Sequence, residues 1–310
     1  MEIIYNTDIH AGSKINKKTA VALGNFDGFH IGHMSLIDKI KAYANENVQN
    51  RMSCVWTFSE HSRNILKSGH PLPYITTKEE KIEILTQKKI DCLVFQDFNF
   101  VHYLSPDEFI DRIVVEYLNA EIVVCGYNYR FGRKREGNVE YLRDSLAGKN
   151  IETLIIPPVI CEGQIVSSSF VRTLIKNGDM SKAGKFLGRP FSINFPVIYG
   201  KQIGRKIGIP TINQLFPEGH IIPAVGIYVC TCEVEGQIYK AVTNIGVRPT
   251  VNGGFLNSET HLLDFDGDLY GKNIKVNFYM KFRDEIKFPG LDELKEQIQK
   301  DIDFARVYEF

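Results

Sequence analysis

The sequence predicts two domains: an N-terminal α/β domain with a doubly wound parallel sheet, then a C-terminal small antiparallel β-barrel with a terminal helix. From residue 19 to about residue 156, apolar strand patterns alternate with amphipathic helix patterns, as in a parallel sheet covered by helices. After about residue 188, glycine and proline separate short alternating strands, as in antiparallel barrels. A length of 310 residues also favours two domains over one.

The first half alternates strand and helix patterns along its length. The predicted strands are Thr19–Leu23, Ser53–Phe58, Cys92–Phe95, Glu121–Cys125 and Glu152–Ile156. The predicted helices cover residues 33–44, 78–88, 105–118 and 137–147. The third helix has a clear start, because Ser105 and Glu108 form a capping-box pair with Pro106 at the first helical position. Ligands of such sheets bind at the carboxyl ends of the strands.

The second half is predicted to hold barrel strands and one helix. The strands are Ile193–Tyr199, Gly226–Val234, Tyr239–Asn244, Thr260–Phe265 and Ile274–Met280. The helix has one apolar stripe, formed by Leu291, Leu294, Ile298, Ile302 and Ala305. The pattern changes between Asp179 and Arg189, which predicts domains over residues 1–184 and 185–310.

Composition and charge are those of an ordinary soluble protein, with 44% hydrophobic residues, 24% charged residues and a formal net charge of zero. We therefore expect no nucleic-acid partner and no membrane partner, and no pattern indicates an obligate protein partner. The first residues lack a signal-peptide core, so we expect a cytoplasmic protein. The six cysteines lack zinc spacing and fit reduced thiols, and Trp56 is predicted to lie in the core.

The most specific local pattern is Gly24–His33, which reads Gly-Asn-Phe-Asp-Gly-Phe-His-Ile-Gly-His. It joins the first predicted strand to the first predicted helix, where backbone N–H groups and the helix dipole favour an anion. His30 and His33 are three residues apart, so both can face one bound phosphate and the charge that develops when it is attacked. Asp27 has two interpretations, support of a magnesium-bound water or a cap on the turn, and the cap is favoured.

Three further stretches accompany this turn: Thr57–His61 (TFSEH), Gly126–Gly132 (GYNYRFG) and Ser167–Arg172 (SSSFVR). With the turn, they resemble the FMN adenylyltransferase module of the bacterial bifunctional riboflavin kinase/FAD synthetase family, which is of the nucleotidylyltransferase type. Tyr129 stands where the family pattern has Phe. The resemblance implies FMN as substrate, ATP as co-substrate and FAD as product.

The second half resembles the riboflavin kinase barrel of the same family. The motifs, in order, are Gly200, Gly204-Arg205, Gly208–Asn213, Pro223–Tyr228, Asn244–Thr250, Glu259–Phe265 and Asp268–Gly271. The resemblance thus covers nearly the whole chain. It implies phosphorylation of riboflavin to FMN by ATP, followed by Mg²⁺-dependent adenylylation of FMN to FAD with release of pyrophosphate. The chain has no P-loop motif, so the kinase is not of the P-loop type.

For the first site, the resemblance implies catalytic roles for His30, His33 and Arg172, all through contacts with phosphate. It implies further nucleotide contacts from Gly24, Asn25, Phe26, Asp27, Gly28, Gly32, Asn128 and Ser168. It implies flavin contacts from His61 and Asn128, and the motif Asn244–Thr250 of the second half implies a further flavin contact from Arg248.

For the second site, the resemblance implies that Glu259 is the general base, which takes the proton of a riboflavin hydroxyl. Thr211 and Asn213 are two residues apart in an extended segment, so both face one way and offer oxygen ligands for Mg²⁺. Ile212 then points into the core. Nucleotide contacts are implied for Gly200, Gly204 and Arg205.

One departure from the family lies in the first barrel strand, where Phe195 replaces a usual glycine and Pro196 follows it. A phenyl ring there is expected to narrow the ATP pocket, and the proline removes a backbone donor. The alternative function is therefore a monofunctional FAD synthetase with a degenerate, non-phosphorylating barrel. Two other interpretations stay open: a non-catalytic flavin- or nucleotide-binding regulator, and a transferase of the same type with another phosphate substrate.

Overall fold

The computed structural model describes residues 1–6, 14–45, 51–58, 72–200, 202–250 and 253–310, and only the backbone at 203, 206, 248–250 and 253–255. The chain forms two compact units, Met1–Ser167 and Ser168–Phe310. The predicted boundary between residues 184 and 185 stays a prediction. Each unit is described separately below.

The first unit is built on a parallel sheet, as predicted, and this sheet has six strands rather than the five expected. Its strands are β1 (Glu2–Asn6), β2 (Lys18–Leu23), β3 (Arg51–Phe58), β4 (Cys92–Gln96), β5 (Ala120–Gly126) and β6 (Glu152–Ile156). Their order across the sheet is β1-β4-β3-β2-β5-β6. The edge strand β1 was not predicted, because its five residues carry no flanking helix pattern and pair only with the distant β4.

Helices cover both faces of this sheet. They are α1 (Ile31–Asn45), α2 (Lys78–Gln87), α3 (Pro106–Glu108), a π-helix that continues α3 (Phe109–Tyr117), and α4 (Val139–Ala147). Short 3₁₀ turns lie at Phe98–Phe100 and Arg133–Arg135, and a two-stranded ribbon joins β7 (Ile160–Cys161) to β8 (Gln164–Ile165). The predicted capping box of α3 is confirmed: Ser105 Oγ accepts from the Glu108 N–H, and Glu108 Oε2 from the Ser105 N–H.

Two apolar cores, one on each face of the sheet, hold the first unit together. Trp56 is 1% exposed in one of them, which confirms its predicted core position. The other core lies under α1 and includes Ile37 and Ile40. All six cysteines are free thiols, as expected for reduced packing residues.

The second unit begins with two helices, α5 (Ser168–Asn177) and α6 (Met180–Leu187), which were not predicted. The antiparallel strands follow: β9 (Phe191–Pro196), β10 (Ile212–Leu215), β11 (Gly226–Val234), β12 (Gln237–Thr250), β13 (Gly253–Leu262) and β14 (Asn273–Arg283). The short helix α7 (Ile203–Lys206) precedes β10, and α8 (Leu291–Val307) ends the chain's regular structure.

The second sheet closes nearly into the predicted barrel. Its strand order is β10-β13-β12-β11-β14-β9. The two edges meet where the Ile198 N–H donates to the Asn213 carbonyl at 2.8 Å and Gln214 Nε2 donates to the Phe195 carbonyl at 2.7 Å. The terminal helix packs on the barrel through Ile302 and Ala305, as its apolar stripe predicts.

Candidate active sites

The first candidate site lies at a switch point of the parallel sheet. The chain runs from β2 to β3 and β4 on one side, and later to β5 and β6 on the other side. Open parallel sheets bind ligands at such a point, beyond the carboxyl ends of the strands. The turn after β2, residues 24–30, and the loop after β5, residues 127–132, both lie there. The structure thus brings two of the sequence motifs to one edge of the sheet.

Two phenylalanines anchor the turn after β2. Phe26 and Phe29 have φ angles of 45° and 41°, which L side chains rarely adopt, and Gly28 between them has φ 84°. Both phenyl rings are fully buried and stacked, with centroids 5.6 Å apart. Burial of two aromatic rings offsets the cost of the unusual backbone. Any contact of Phe26 with a nucleotide is therefore a backbone contact.

His30 and His33 stand at the start of α1. The His33 N–H donates to the His30 carbonyl at 2.7 Å and to the His30 Nδ1 at 3.2 Å. A ring nitrogen that accepts carries no proton, so neutral His30 carries its proton on Nε2. The two imidazoles are stacked, with centroids 3.7 Å apart. The histidine pair therefore lies where the helix N-terminus favours a phosphate.

Asp27 joins the turn to the segment that leads into α2. Its Oδ1 accepts the backbone N–H groups of Ile75 and Thr76 at 2.8 and 3.2 Å. Thr76 Oγ1 in turn accepts the Gly28 N–H at 3.1 Å. Asp27 thus caps a segment 48 residues away in sequence rather than only its own turn. Sequence reasoning missed Thr76, because no short-range pattern links the two segments.

Lys81 is a second residue that sequence reasoning missed. It lies on α2 with 8% of its surface exposed, and its Nζ donates to the Asn25 carbonyl at 2.9 Å. Thr57 Oγ1 donates to the same carbonyl at 2.9 Å. Burial lowers the pKa of Lys81 to about 8, and the nearby Asp27 carboxylate opposes this shift. A buried ammonium group therefore supports the first residues of the turn.

The remaining residues predicted for the first site lie in different places. Asn128 is exposed on the loop after β5. Ser168 and Arg172 are one turn apart on α5, where Arg172 is buried, but both belong to the second unit. Their contact with phosphate stays a prediction from the sequence. His61 lies outside the described residues.

The barrel carries the second candidate site, an open cavity of about 200 Å³. Its lining includes Arg205 on α7, Thr211 just before β10, Ile212 as the first residue of β10, and Phe265, Asp266 and Tyr270 in the loop after β13. The Tyr270 ring stacks on the Tyr199 ring, with centroids 4.0 Å apart. A guanidinium, a hydroxyl and aromatic walls suit a nucleotide. Ile212, predicted to point into the core, is 9% exposed and also lines this cavity.

Asn213 and Glu259 lie side by side in the barrel. They are opposite each other in the register of β10 and β13, so their side chains share a face. Asn257 Nδ2 donates to Asn213 Oδ1 at 3.2 Å and to Glu259 Oε1 at 3.3 Å. Sequence reasoning missed Asn257, although residues two apart on a strand share a face.

The glycines of the second site allow close packing. A Cβ on Gly200 would lie 2.5 Å from Nδ2 of Asn213, and one on Gly204 would overlap the Ile209 carbonyl. The backbone near Gly200 therefore approaches the Asn213 side chain directly.

Arg248 lies on β12 opposite Phe255 in register, but its side chain is outside the described part of the chain.

Phe195 was expected to narrow the ATP pocket, but its ring does not line the barrel cavity described above. Phe195 is 4% exposed, and its ring packs against His220 and Phe216 with centroids 5.1 and 6.0 Å away. It is absent from the cavity lining, which Val197 reaches instead. The phenyl ring lies on the buried face of β9 together with Phe191 and Ile193, whereas Val197 follows the end of the strand.

The oxygen ligands that Thr211 and Asn213 offer near the barrel cavity fit Mg²⁺ better than a softer metal. Asn213 Oδ1 accepts one hydrogen bond and keeps a second lone pair, and the Thr211 hydroxyl adds a hard oxygen. Within the described ranges, no group of three or more His, Cys, Asp or Glu side chains could hold a metal ion.

Over the same part of the chain, no helix has the length and apolarity needed to cross a membrane.

Comparison with known proteins matches both units. The FAD synthetase family model matches residues 12–170, and the riboflavin kinase model matches residues 187–309. A bifunctional riboflavin kinase/FMN adenylyltransferase from Bacillus subtilis is 36% identical over 289 residues, which are 92% of this chain and 90% of that protein. The protein of the same name from Haemophilus influenzae is 32% identical over 305 residues, 97% of each chain.

A solved structure from Streptococcus pneumoniae, described as a macrolide-efflux protein, has the same fold. It is 30% identical, with a TM-score of 0.89 over 100% of both chains. Both family domains are present in the expected order, and the relatives span nearly the full length. The chain therefore belongs to the bifunctional riboflavin kinase/FMN adenylyltransferase family and is an enzyme with both activities.

Proposed function

We propose that the first unit transfers the adenylyl group of ATP to FMN through the turn after β2, and that the barrel phosphorylates riboflavin beside Glu259. One observation carries this proposal: the same chain holds stacked histidines at a sheet switch point and a paired Asn213 and Glu259 in a barrel. The bifunctional relatives favour this function over a monofunctional FAD synthetase. The inward position of the Phe195 ring also speaks against one of the two reasons for expecting a degenerate barrel, while the donor missing at Pro196 is the other.

In adenylyl transfer, a phosphate oxygen of FMN forms a bond to the α-phosphorus of ATP, and the bond from that phosphorus to the β-phosphate oxygen breaks. Such reactions depend mainly on positioning and on stabilisation of charge. The Nε2–H of His30, the His33 ring and the N–H groups that begin α1 donate to the phosphate oxygens as charge shifts toward pyrophosphate. From the sequence motif alone, Arg172 is predicted to supply a guanidinium for two phosphate oxygens.

In phosphoryl transfer, a riboflavin hydroxyl oxygen forms a bond to the γ-phosphorus of ATP, and ADP leaves. Glu259 takes the hydroxyl proton, so its carboxylate must reach the attacking oxygen. Thr211 and Arg205 line the cavity that receives the nucleotide. Thr211 and Asn213 would hold Mg²⁺, which neutralises phosphate charge when bound.

The test is chromatographic analysis of the purified chain with Mg²⁺ and ATP, started in parallel from riboflavin and from FMN. We expect FAD from both reactions, with FMN as an intermediate in the first. FAD from FMN alone would contradict phosphorylation in the barrel. Absence of both products would contradict the proposal as a whole.

A further inference from the structure

The barrel residue Asn257 occupies a position that the reaction outlined above does not use. It is 3% exposed, on β13, two residues before Glu259. Its amide nitrogen has two hydrogens, and each has a separate acceptor: Asn213 Oδ1 at 3.2 Å and Glu259 Oε1 at 3.3 Å. A single buried amide therefore joins the side chain proposed for Mg²⁺ to the proposed base.

An alternative explanation of Asn257 is packing alone. Packing alone requires no polar group, because an apolar side chain fills a buried space without the desolvation cost that hydrogen bonds must offset. Ser258, the neighbour that faces the other way, shows the purely structural pattern, since its hydroxyl lies 3.3 Å from the Thr260 hydroxyl within the barrel wall. Asn257 instead donates to a carboxylate that is half-buried rather than enclosed.

We propose that Asn257 is a positioning residue for phosphoryl transfer, because its amide fixes the Glu259 carboxylate and the Asn213 oxygen at a constant separation. This inference rests on the function proposed for Glu259 and Asn213. With the amide in place, the carboxylate points one oxygen at Asn257 and leaves the other for the attacking hydroxyl. Without it, Glu259 samples several rotamers, and fewer of them reach the substrate.

The neighbouring strand β12 connects one more titratable group, Glu285, to the residues around Glu259. Asn244 on β12 is opposite Glu259 in register, and its Nδ2 donates to Glu285 Oε1 at 3.0 Å. Glu285 lies over Gly246, where a Cβ would overlap its carboxylate. From β10, the group that faces Glu259 is the neutral Asn213. The Asn244 amide therefore stands between Glu259 and Glu285 on the β12 side, and Asn257 supplies donors on the β10 side.

The test compares Asn257→Ala with a matched control, Asn277→Ala. Asn277 is also a barrel asparagine, and its Nδ2 donates to the Thr231 hydroxyl at 3.2 Å, away from Glu259. For Asn257→Ala we expect kcat of FMN formation to fall about tenfold or more, with KM for riboflavin nearly unchanged, and the Mg²⁺ concentration for half-maximal rate to rise. FAD formation from supplied FMN should stay at the wild-type rate in both variants.

A second variant, Asn257→Asp, keeps the volume and replaces the donors with a carboxylate. Because a carboxylate cannot donate to Asn213 or Glu259, kcat of FMN formation should fall in Asn257→Asp as it does in Asn257→Ala. A kcat within twofold of wild type in Asn257→Ala or in Asn257→Asp, or an equal loss in Asn277→Ala, would overturn the inference. The variant Glu259→Gln distinguishes failure of the Asn257 inference from failure of the proposed function. If Glu259→Gln retains kinase activity, Glu259 is not the base and the proposed function itself fails.

Discussion

Lys81 shows how one buried charge can support a catalytic turn. Taking an ammonium group out of water is costly unless hydrogen bonds and nearby charges compensate. Here the Asn25 carbonyl accepts from Nζ at 2.9 Å, and Thr57 Oγ1 lies 3.4 Å away. The compensation is partial, because burial still lowers the pKa of Lys81 to about 8 against the opposing effect of Asp27. The buried Lys81 therefore lowers the stability of the first unit while it holds the turn in place.

Lys81→Met should change stability in a pH-dependent way. Since the pKa falls from 10.5 to about 8 on folding, the unfolded chain holds the proton more tightly, and the wild type carries the full cost below pH 8. As pH rises from 8 to 10.5, this cost disappears, so the wild type should gain on the order of 3 kcal/mol relative to the variant. Urea unfolding followed by the fluorescence of Trp56, the single tryptophan, measures this in the first unit.

The same variant should also slow FAD formation, because the Asn25 carbonyl loses a donor and the turn loosens. Lys39→Met is the matched control, since Lys39 is exposed on α1. A stability difference between Lys81→Met and wild type that stays constant from pH 7 to 10.5 would contradict a lowered pKa at this site.

At the scale of elements, the sequence predicted most strands and helices that have local patterns, but it missed the helices α5 and α6 and the contacts that depend on distant partners. The strand β10 has four residues and forms only because Ile212–Leu215 pairs with β13. The turn Gly24–His33 was recognised from its spacing, whereas Lys81 contacts it from 56 residues away. Asn257 reaches Asn213 across 44 residues. Pairings of this kind require the register of the sheet, which a single sequence does not contain.

The terminal helix is predicted to influence the kinase site through one ion pair. Arg306 on α8 donates to both carboxylate oxygens of Asp264 at 2.7 and 2.9 Å, and Asp264 adopts φ 57° just before the loop that lines the cavity. The Arg306 hydrogen bond lowers the pKa of Asp264. The pair fixes where the residues that follow, Phe265 to Tyr270, enter the cavity wall.

Arg306→Met should therefore raise KM for ATP in the kinase reaction by about twofold to fivefold, with kcat little changed, because an exposed ion pair contributes modestly. Steady-state kinetics of FMN formation at varied ATP measures this effect. Lys300→Met, an exposed position on the same helix, is the control and should behave as wild type. A fall in kcat without a change in KM would argue against an effect on the nucleotide loop.

At the scale of the whole molecule, the two proposed chemistries use different residues and different folds. The turn before α1 belongs to the parallel sheet, and Glu259 belongs to the barrel. His30→Ala should lower FAD formation from FMN by about a hundredfold or more, because a donor to the transition-state phosphate is lost. FMN formation from riboflavin should persist, and chromatography of both products measures the separation. A parallel loss of FMN formation would show that the two reactions depend on each other.

Glu259→Gln tests the reverse separation. The amide keeps the size of the side chain but cannot take a proton, so FMN formation should fall by about a hundredfold or more. FAD formation from supplied FMN should continue at the wild-type rate, since the turn and its supports at Asp27 and Lys81 are untouched. Because glutamine can still accept from Asn257, the hydrogen bonds that link Asn213, Asn257 and residue 259 should survive, and KM for riboflavin should change little. Retained kinase activity would mean that another group takes the proton, and it would move the base of this barrel away from Glu259.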